Sequence, residues 1–74
     1  MAFEKLTYVI LDGEPGIIAR WNGGSYVYEN KDGKWADSGS RRADLCFDGR
    51  VIDTATFKDM FPDLPLTPPL PDAA

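Results

Sequence analysis

Four aromatic residues and a group of cations crowd the middle of this sequence: Trp21, Tyr26, Tyr28 and Trp35, with Arg20, Lys31, Lys34, Arg41 and Arg42 among them. Rings interleaved with positive charge can form a stacking platform for single-stranded nucleic acid, where bases stack on the aromatics and cations follow the phosphates. The same residue types, Trp, Tyr and Arg, dominate the hot spots of protein interfaces. They also fill the core of a domain too small to manage without large side chains. Trp21, Tyr26, Tyr28, Trp35, Arg41 and Arg42 are therefore candidate partner-binding residues, and burial of the two tryptophans separates these roles.

Other chemistry-bearing residues lead to exclusions. The chain has no histidine, which removes the commonest general base and the commonest neutral metal ligand. Nearly all the carboxylates sit in turn, cap or surface contexts that account for them: Asp12, Asp32 and Asp48 beside glycine, Asp53 at a helix start. No calcium-type loop of alternating Asp and Asn with a terminal Glu is present, and no Cys/His cluster of zinc spacing. Cys46 lies between Leu45 and Phe47, with no histidine to activate it, and reads as an inert thiol, buried or half-buried on the face that Asp44 shares. Gly13 to Gly16 and Gly23-Gly24 lack the spacing of phosphate loops and precede no helix, so they read as hairpin turns. No catalytic residue, cofactor or metal is expected.

The C-terminal stretch offers a different kind of recognition. Pro62-Asp63-Leu64-Pro65, Pro65-Leu66-Thr67-Pro68 and Pro68-Pro69-Leu70-Pro71 all have the PxxP form. The last resembles ligands of WW domains, which read the preformed polyproline II shape, and it adds Pro68, Pro69, Leu70 and Pro71 to the candidates. The alternative is that Leu64, Leu66 and Leu70 lay the tail over the domain's own surface or over a twin chain.

Charge points the same way as the missing motifs. The net charge is −4 in 74 residues, which disfavours a phosphate backbone as the main partner. The middle of the chain is mildly basic, whereas residues 43–74 carry Arg50 and Lys58 against Asp44, Asp48, Asp53, Asp59, Asp63 and Asp72. A single cysteine fits a reducing compartment better than a secreted disulfide framework. Neither a basic leader before a long apolar run nor a membrane-length segment is present, so a cytoplasmic location without membrane association is expected.

The elements that must position these residues are mostly strands. Leu6, Tyr8 and Ile10 alternate with Thr7, Val9 and Leu11, giving a first strand apolar on both faces, the mark of a central or sandwiched strand. Turn formers at Asp12 to Gly16 lead to a strand from about Ile17 to Trp21, and Asn22-Gly23-Gly24 reverses it into Ser25 to Glu29. Asn30-Lys31-Asp32-Gly33 reads as a bulged hairpin returning through Lys34 to Asp37, so that Tyr26 to Trp35 is the surest hairpin in the chain. After a loop at Ser38 to Arg42, alternating Ala43, Leu45 and Phe47, the turn Asp48-Gly49 and the run Arg50-Val51-Ile52 read as a last hairpin.

One helix is expected, over 54–61. Asp53 is its N-cap, Ile52 and Phe57 form a hydrophobic staple, Phe57, Met60 and Phe61 share a face, and Pro62 ends it. No internal repeat and no second domain is visible.

The fold class is therefore α+β: a small antiparallel β-meander of about four to six short strands, barrel-like if it curls, with one short C-terminal helix. Residues 1–61 form a single domain and 62–74 an extended proline-rich tail that frays at Ala73 and Ala74. The favoured function is a non-enzymatic protein-interaction module, a homodimer being compatible with the two-faced first strand. The alternative is an acidic inhibitor that occludes a nucleic-acid-binding protein. In size and acidity the chain resembles phage and prophage inhibitors such as anti-CRISPR proteins, in general character and without a shared motif. Binding of single-stranded nucleic acid ranks third, because the chain as a whole is acidic.

Overall fold

A computed structural model describes residues 3–70, and the expectations for Pro71, Asp72, Ala73 and Ala74 concern residues outside them. Five strands, β1 (Lys5–Leu11), β2 (Glu14–Trp21), β3 (Gly24–Lys31), β4 (Lys34–Asp37) and β5 (Arg50–Ile52), form one antiparallel sheet in the order β4-β3-β2-β1-β5. The sheet is open, with β4 and β5 at its edges, so the barrel-like variant is set aside. A 3-10 turn at Gly39–Arg41 leads into helix α1 (Arg42–Phe47), and helix α2 (Thr54–Met60) follows β5. The α+β meander expected from the sequence is present.

Three hairpins make the meander, and their turn chemistry explains their tightness. Asp12-Gly13, Asn22-Gly23 and Asp32-Gly33 fall at ten-residue intervals, each an Asp or Asn near φ +52° followed by a glycine near +80°. Two consecutive left-handed residues are the signature of two-residue loops whose twist matches the flanking strands. The strands therefore start earlier and run longer than turn composition suggests. β2 begins at Glu14 with Pro15 opposite Ile10, and β3 runs to Lys31 without the expected bulge. Pro15 is tolerated because β3 pairs with β2 only from Gly16 onward, leaving Pro15 on a locally single-sided stretch. Against the expectation of no internal repeat, the two-residue turn recurs every ten residues.

Alternation along paired strands gives the sheet two unlike faces. One carries Tyr8, Ile17, Ala19, Tyr28 and Trp35 and is covered by Phe57 of α2, with Phe61, Leu64 and Leu66 packed beside it. The other carries Val9, Leu11 and Val27 and is covered by Leu45 of α1. β1 thus buries neighbouring residues on opposite faces, Tyr8 and Val9, as its two-sided composition requires.

Residues 42–47 contradict the expected hairpin. They form helix α1 instead of a strand, and β5 pairs with β1 through Val9↔Val51 rather than with its own preceding segment. None of these six residues is β-branched, and Arg, Ala and Leu favour helix. The contact that fixes them is non-local: Leu45 sits over Gly16 and Val9, where a side chain on Gly16 would reach within 3.0 Å of Leu45 Cδ2. Gly49 is likewise no hairpin turn; a Cβ there would overlap the Leu45 carbonyl oxygen, so the chain leaves α1 for β5 only with glycine at this point. The expected loop at residues 38–42 contains the 3-10 turn.

α2 follows the sequence closely. The Asp53 carboxylate accepts from the Thr56 amide at 2.7 Å, and Ile52 and Phe57 both reach the aromatic-rich face. Met60, expected on the packed stripe, is about half exposed, because a two-turn helix rotates it away from the sheet after Phe57 and Phe61 have made contact.

Candidate functional site

The aromatic candidates divide by burial. Tyr28 and Trp35 belong to the core at 5% and 7% exposure, and Trp35 packs against Phe57 with ring centroids 6.1 Å apart. The tail closes over them. The Trp35 indole Nε1 donates to the Pro65 carbonyl at 2.6 Å, and the Tyr8 hydroxyl donates to the Leu66 carbonyl at 2.8 Å. Both indole and phenol thereby find the partner that a buried polar tip needs. Trp21 and Tyr26 are half-buried at the end of the β2–β3 hairpin, their rings 6.5 Å apart.

Strand alternation places the cations on the opposite face from these rings. Counting from Tyr28 and Trp35, the side chains of Arg20, Lys31 and Lys34 alternate to the α1 face, where Arg41 and Arg42 also lie. The two halves of the imagined stacking platform are therefore separated by the thickness of the sheet.

On the α1 face one end is ion-paired. Arg41 Nη1 lies 3.1 Å from Glu14 Oε2 and 3.3 Å from Glu29 Oε2, and Lys31 Nζ lies 3.4 Å from Glu29 Oε1. The Glu29 side chain is only 9% exposed, so these two cations offset the cost of holding a carboxylate away from water. The hydrogen bond to Glu14 is the largest influence holding the Arg41 guanidinium even more firmly charged than usual. Arg42 turns the other way and donates through Nη2 to the Ser25 carbonyl.

The outer surface of α1 carries the feature that sequence reasoning missed. Leu45 is 2% exposed, yet Phe47 is 86% exposed and Val51 on the edge strand β5 is 65% exposed. Gly39, Ser40, Arg42, Ala43, Cys46 and Phe47 line a shallow cleft of about 470 Å³ on this surface. Cys46 is exposed, against the expectation of a buried or half-buried thiol, because helical rather than strand periodicity turns it outward beside Ala43 and Phe47. The signal was present in the sequence: Ala43, Cys46 and Phe47 stand at i, i+3 and i+4.

Of the tail candidates, Pro68 is buried, Pro69 and Leu70 are exposed, and Pro71 lies outside the described residues. Leu64 and Leu66 pack on the domain's own aromatic face, whereas Leu70 does not. No group of three or more Cys, Asp or Glu among the described residues is placed to hold a metal ion, and none of their helices is long and apolar enough to cross a membrane.

The fold and its surface define a small α+β protein: an open antiparallel sheet with an aromatic face sealed by α2 and the tail, and a second face partly covered by a short helix with an apolar outer side. Comparison with protein-family models, with curated proteins and with solved structures returns no match to this chain.

Proposed function

We propose that this chain is a small, non-enzymatic protein-interaction module whose contact surface is the outer side of α1, with Phe47 as its anchor. The carrying observation is the 86% exposure of Phe47 on a helix already held in place by Leu45. A phenylalanine in water contributes nothing to folding, while burying it against a partner is worth about 1.5–3 kcal/mol. Ala43 and Cys46 extend the apolar area, Val51 adds a second exposed apolar side chain on the edge strand, and Arg42 lines the cleft as the hydrogen-bonding residue typical of interface hot spots. The partner that suits this surface is a protein presenting an apolar side chain to the cleft, with an acceptor in reach of Arg42.

Affinity capture from the native host's extract tests this reading. Wild-type protein recovers a partner that Phe47→Asp does not, while Trp21→Ala, on the opposite face, still recovers it. Recovery of the same partner by Phe47→Asp would count against the α1 surface.

A second reading, the acidic inhibitor, draws on charge. Asp44, Asp48, Asp59 and Asp63 are all exposed, and none lies within salt-bridge distance of a cation among the described residues. This reading requires a basic partner whose binding weakens steeply with salt, whereas an interface anchored on Phe47 changes little.

A further inference from the structure

We propose that the end of the α1 face nearest the Asn22-Gly23 turn binds a tetrahedral oxyanion of the phosphate class. Lys5, Thr7, Ile18, Arg20 and Ser25, from three adjacent strands, line a hollow of about 160 Å³ there. Lys5 and Arg20 are directly opposite one another in the β1–β2 register. Like charges in that position destabilise a sheet, so the sequence carries a cost here that an anion between them would remove.

A third cation lies beside the hollow. The Arg42 guanidinium, whose side chain lines the α1 cleft, donates to the carbonyl of Ser25, one of the residues that line the hollow. The contrast with the rest of this face is direct. Arg41 and Lys31 are neutralised by Glu14 and Glu29, whereas Lys5, Arg20 and Arg42 form no salt bridge among the described residues. Two uncompensated cations therefore line the hollow, with a third bound to its border, in a protein whose net charge is −4.

The chemistry favours phosphate over carboxylate. Two cations opposed across strands and the side chains of Thr7 and Ser25 line the hollow, and three or more strong acceptor oxygens can engage these donors at once. A carboxylate has two oxygens in one plane. The hollow is smaller than the roughly 300–1,000 Å³ of a pocket that encloses a drug-sized ligand, so it takes one phosphate group with the rest of any ester outside. The hollow shares no lining residue with the α1 cleft, and the assignment does not rest on the protein-binding reading.

Titration of 15N-labelled full-length protein with inorganic phosphate at constant ionic strength, with chloride as the control, tests the assignment. Saturable amide shifts at Lys5, Thr7, Ile18, Arg20 and Ser25 are expected, weakened at least about tenfold in affinity in Lys5→Gln and in Arg20→Gln, as loss of one charge-assisted contact predicts. Phosphoserine binding more tightly than inorganic phosphate identifies an ester as the source, and equal or weaker binding identifies the free ion; either supports the site. Shifts that fail to saturate, that chloride reproduces, or that survive unchanged in both variants would overturn it. Both substitutions are at exposed side chains, and an unchanged dispersed spectrum shows that each variant is folded.

Discussion

Leu45 and Phe47 stand two positions apart on α1, one 2% and the other 86% exposed. A strand would have placed them on the same side, and a helix of six residues separates them. That separation gives α1 its anchor in the core and its apolar outer side. It also turns the only cysteine outward and leaves Arg42 between an apolar cleft and a cationic hollow.

Stability should divide between two phenylalanines accordingly. Phe57 is fully buried between Tyr8, Trp35 and Phe61, with ring centroids 4.5, 6.1 and 5.3 Å away. Phe57→Ala should cost about 3–5 kcal/mol in urea denaturation, enough to unfold much of the population of a domain this small. Phe47→Ser should change stability by no more than about 0.5 kcal/mol.

The tail should behave as part of the fold. Removing residues 63–74 deletes the carbonyl acceptors of Trp35 and Tyr8 and uncovers the aromatic face. The expected result is a lower melting temperature, a red shift of tryptophan emission and stronger iodide quenching, since Trp35 is buried and Trp21 already half-exposed in the intact chain. An unchanged melting curve would show that the tail contributes nothing to the packing.

Two pH limits follow from the tyrosines and from the cap of α2. Burial raises the Tyr8 phenol above its ordinary 10.0, and burial, then Asp37 and Tyr26, raise Tyr28. Their contribution is complete below the unfolded-state value and is lost as pH rises through the folded-state values, because the unfolded chain ionises first. Tyr8→Phe should therefore reduce the loss of stability above about pH 10. At the acid end, hydrogen bonds from Thr56 hold Asp53 below its ordinary 3.8. That contribution is complete above the unfolded-state value and fades as pH falls through the folded one. Asp53→Asn, which keeps a capping oxygen, should flatten the acid limb measured by circular dichroism.

Gly49 should tolerate no side chain. With backbone rather than a flexible side chain in the way, Gly49→Ala must shift either α1 or β5, and a loss of about 1–3 kcal/mol is expected from the overpacking. Amide exchange should report it first in β5 and at Leu45. Ser38→Ala should do the opposite: its hydroxyl is buried and finds no hydrogen-bond partner among the described residues, so removing it should leave stability unchanged or raise it by up to about 1 kcal/mol.

The parts of this fold legible in the sequence are those fixed by neighbours in the chain. Asp32-Gly33 is a turn on its own terms, and Asp53, Ile52 and Phe57 announce α2 within six residues, as cap and staple do wherever they occur. Even there composition misleads about the turn's length, since Asn30-Lys31 belong to the strand and only two residues form the loop. α1 was illegible because Ala43, Leu45 and Phe47 satisfy a two-residue period while Ala43, Cys46 and Phe47 satisfy a helical one. What decides between them is the space over Gly16, provided by another part of the chain. The division of aromatics from cations could have been read from alternation alone, since Lys34 adjoins Trp35 and must point to the other face once Trp35 is placed.

The α1 surface is tested most directly by partner affinity, measured by titration calorimetry, for wild type, Phe47→Asp and Trp21→Ala, with the melting temperature of each recorded beside it. The α1 reading predicts that Phe47→Asp weakens binding at least tenfold, about 1.4 kcal/mol or more, with melting unchanged, and that Trp21→Ala binds as wild type does. Equal affinity for wild type and Phe47→Asp, or loss of binding only in Trp21→Ala, would contradict it.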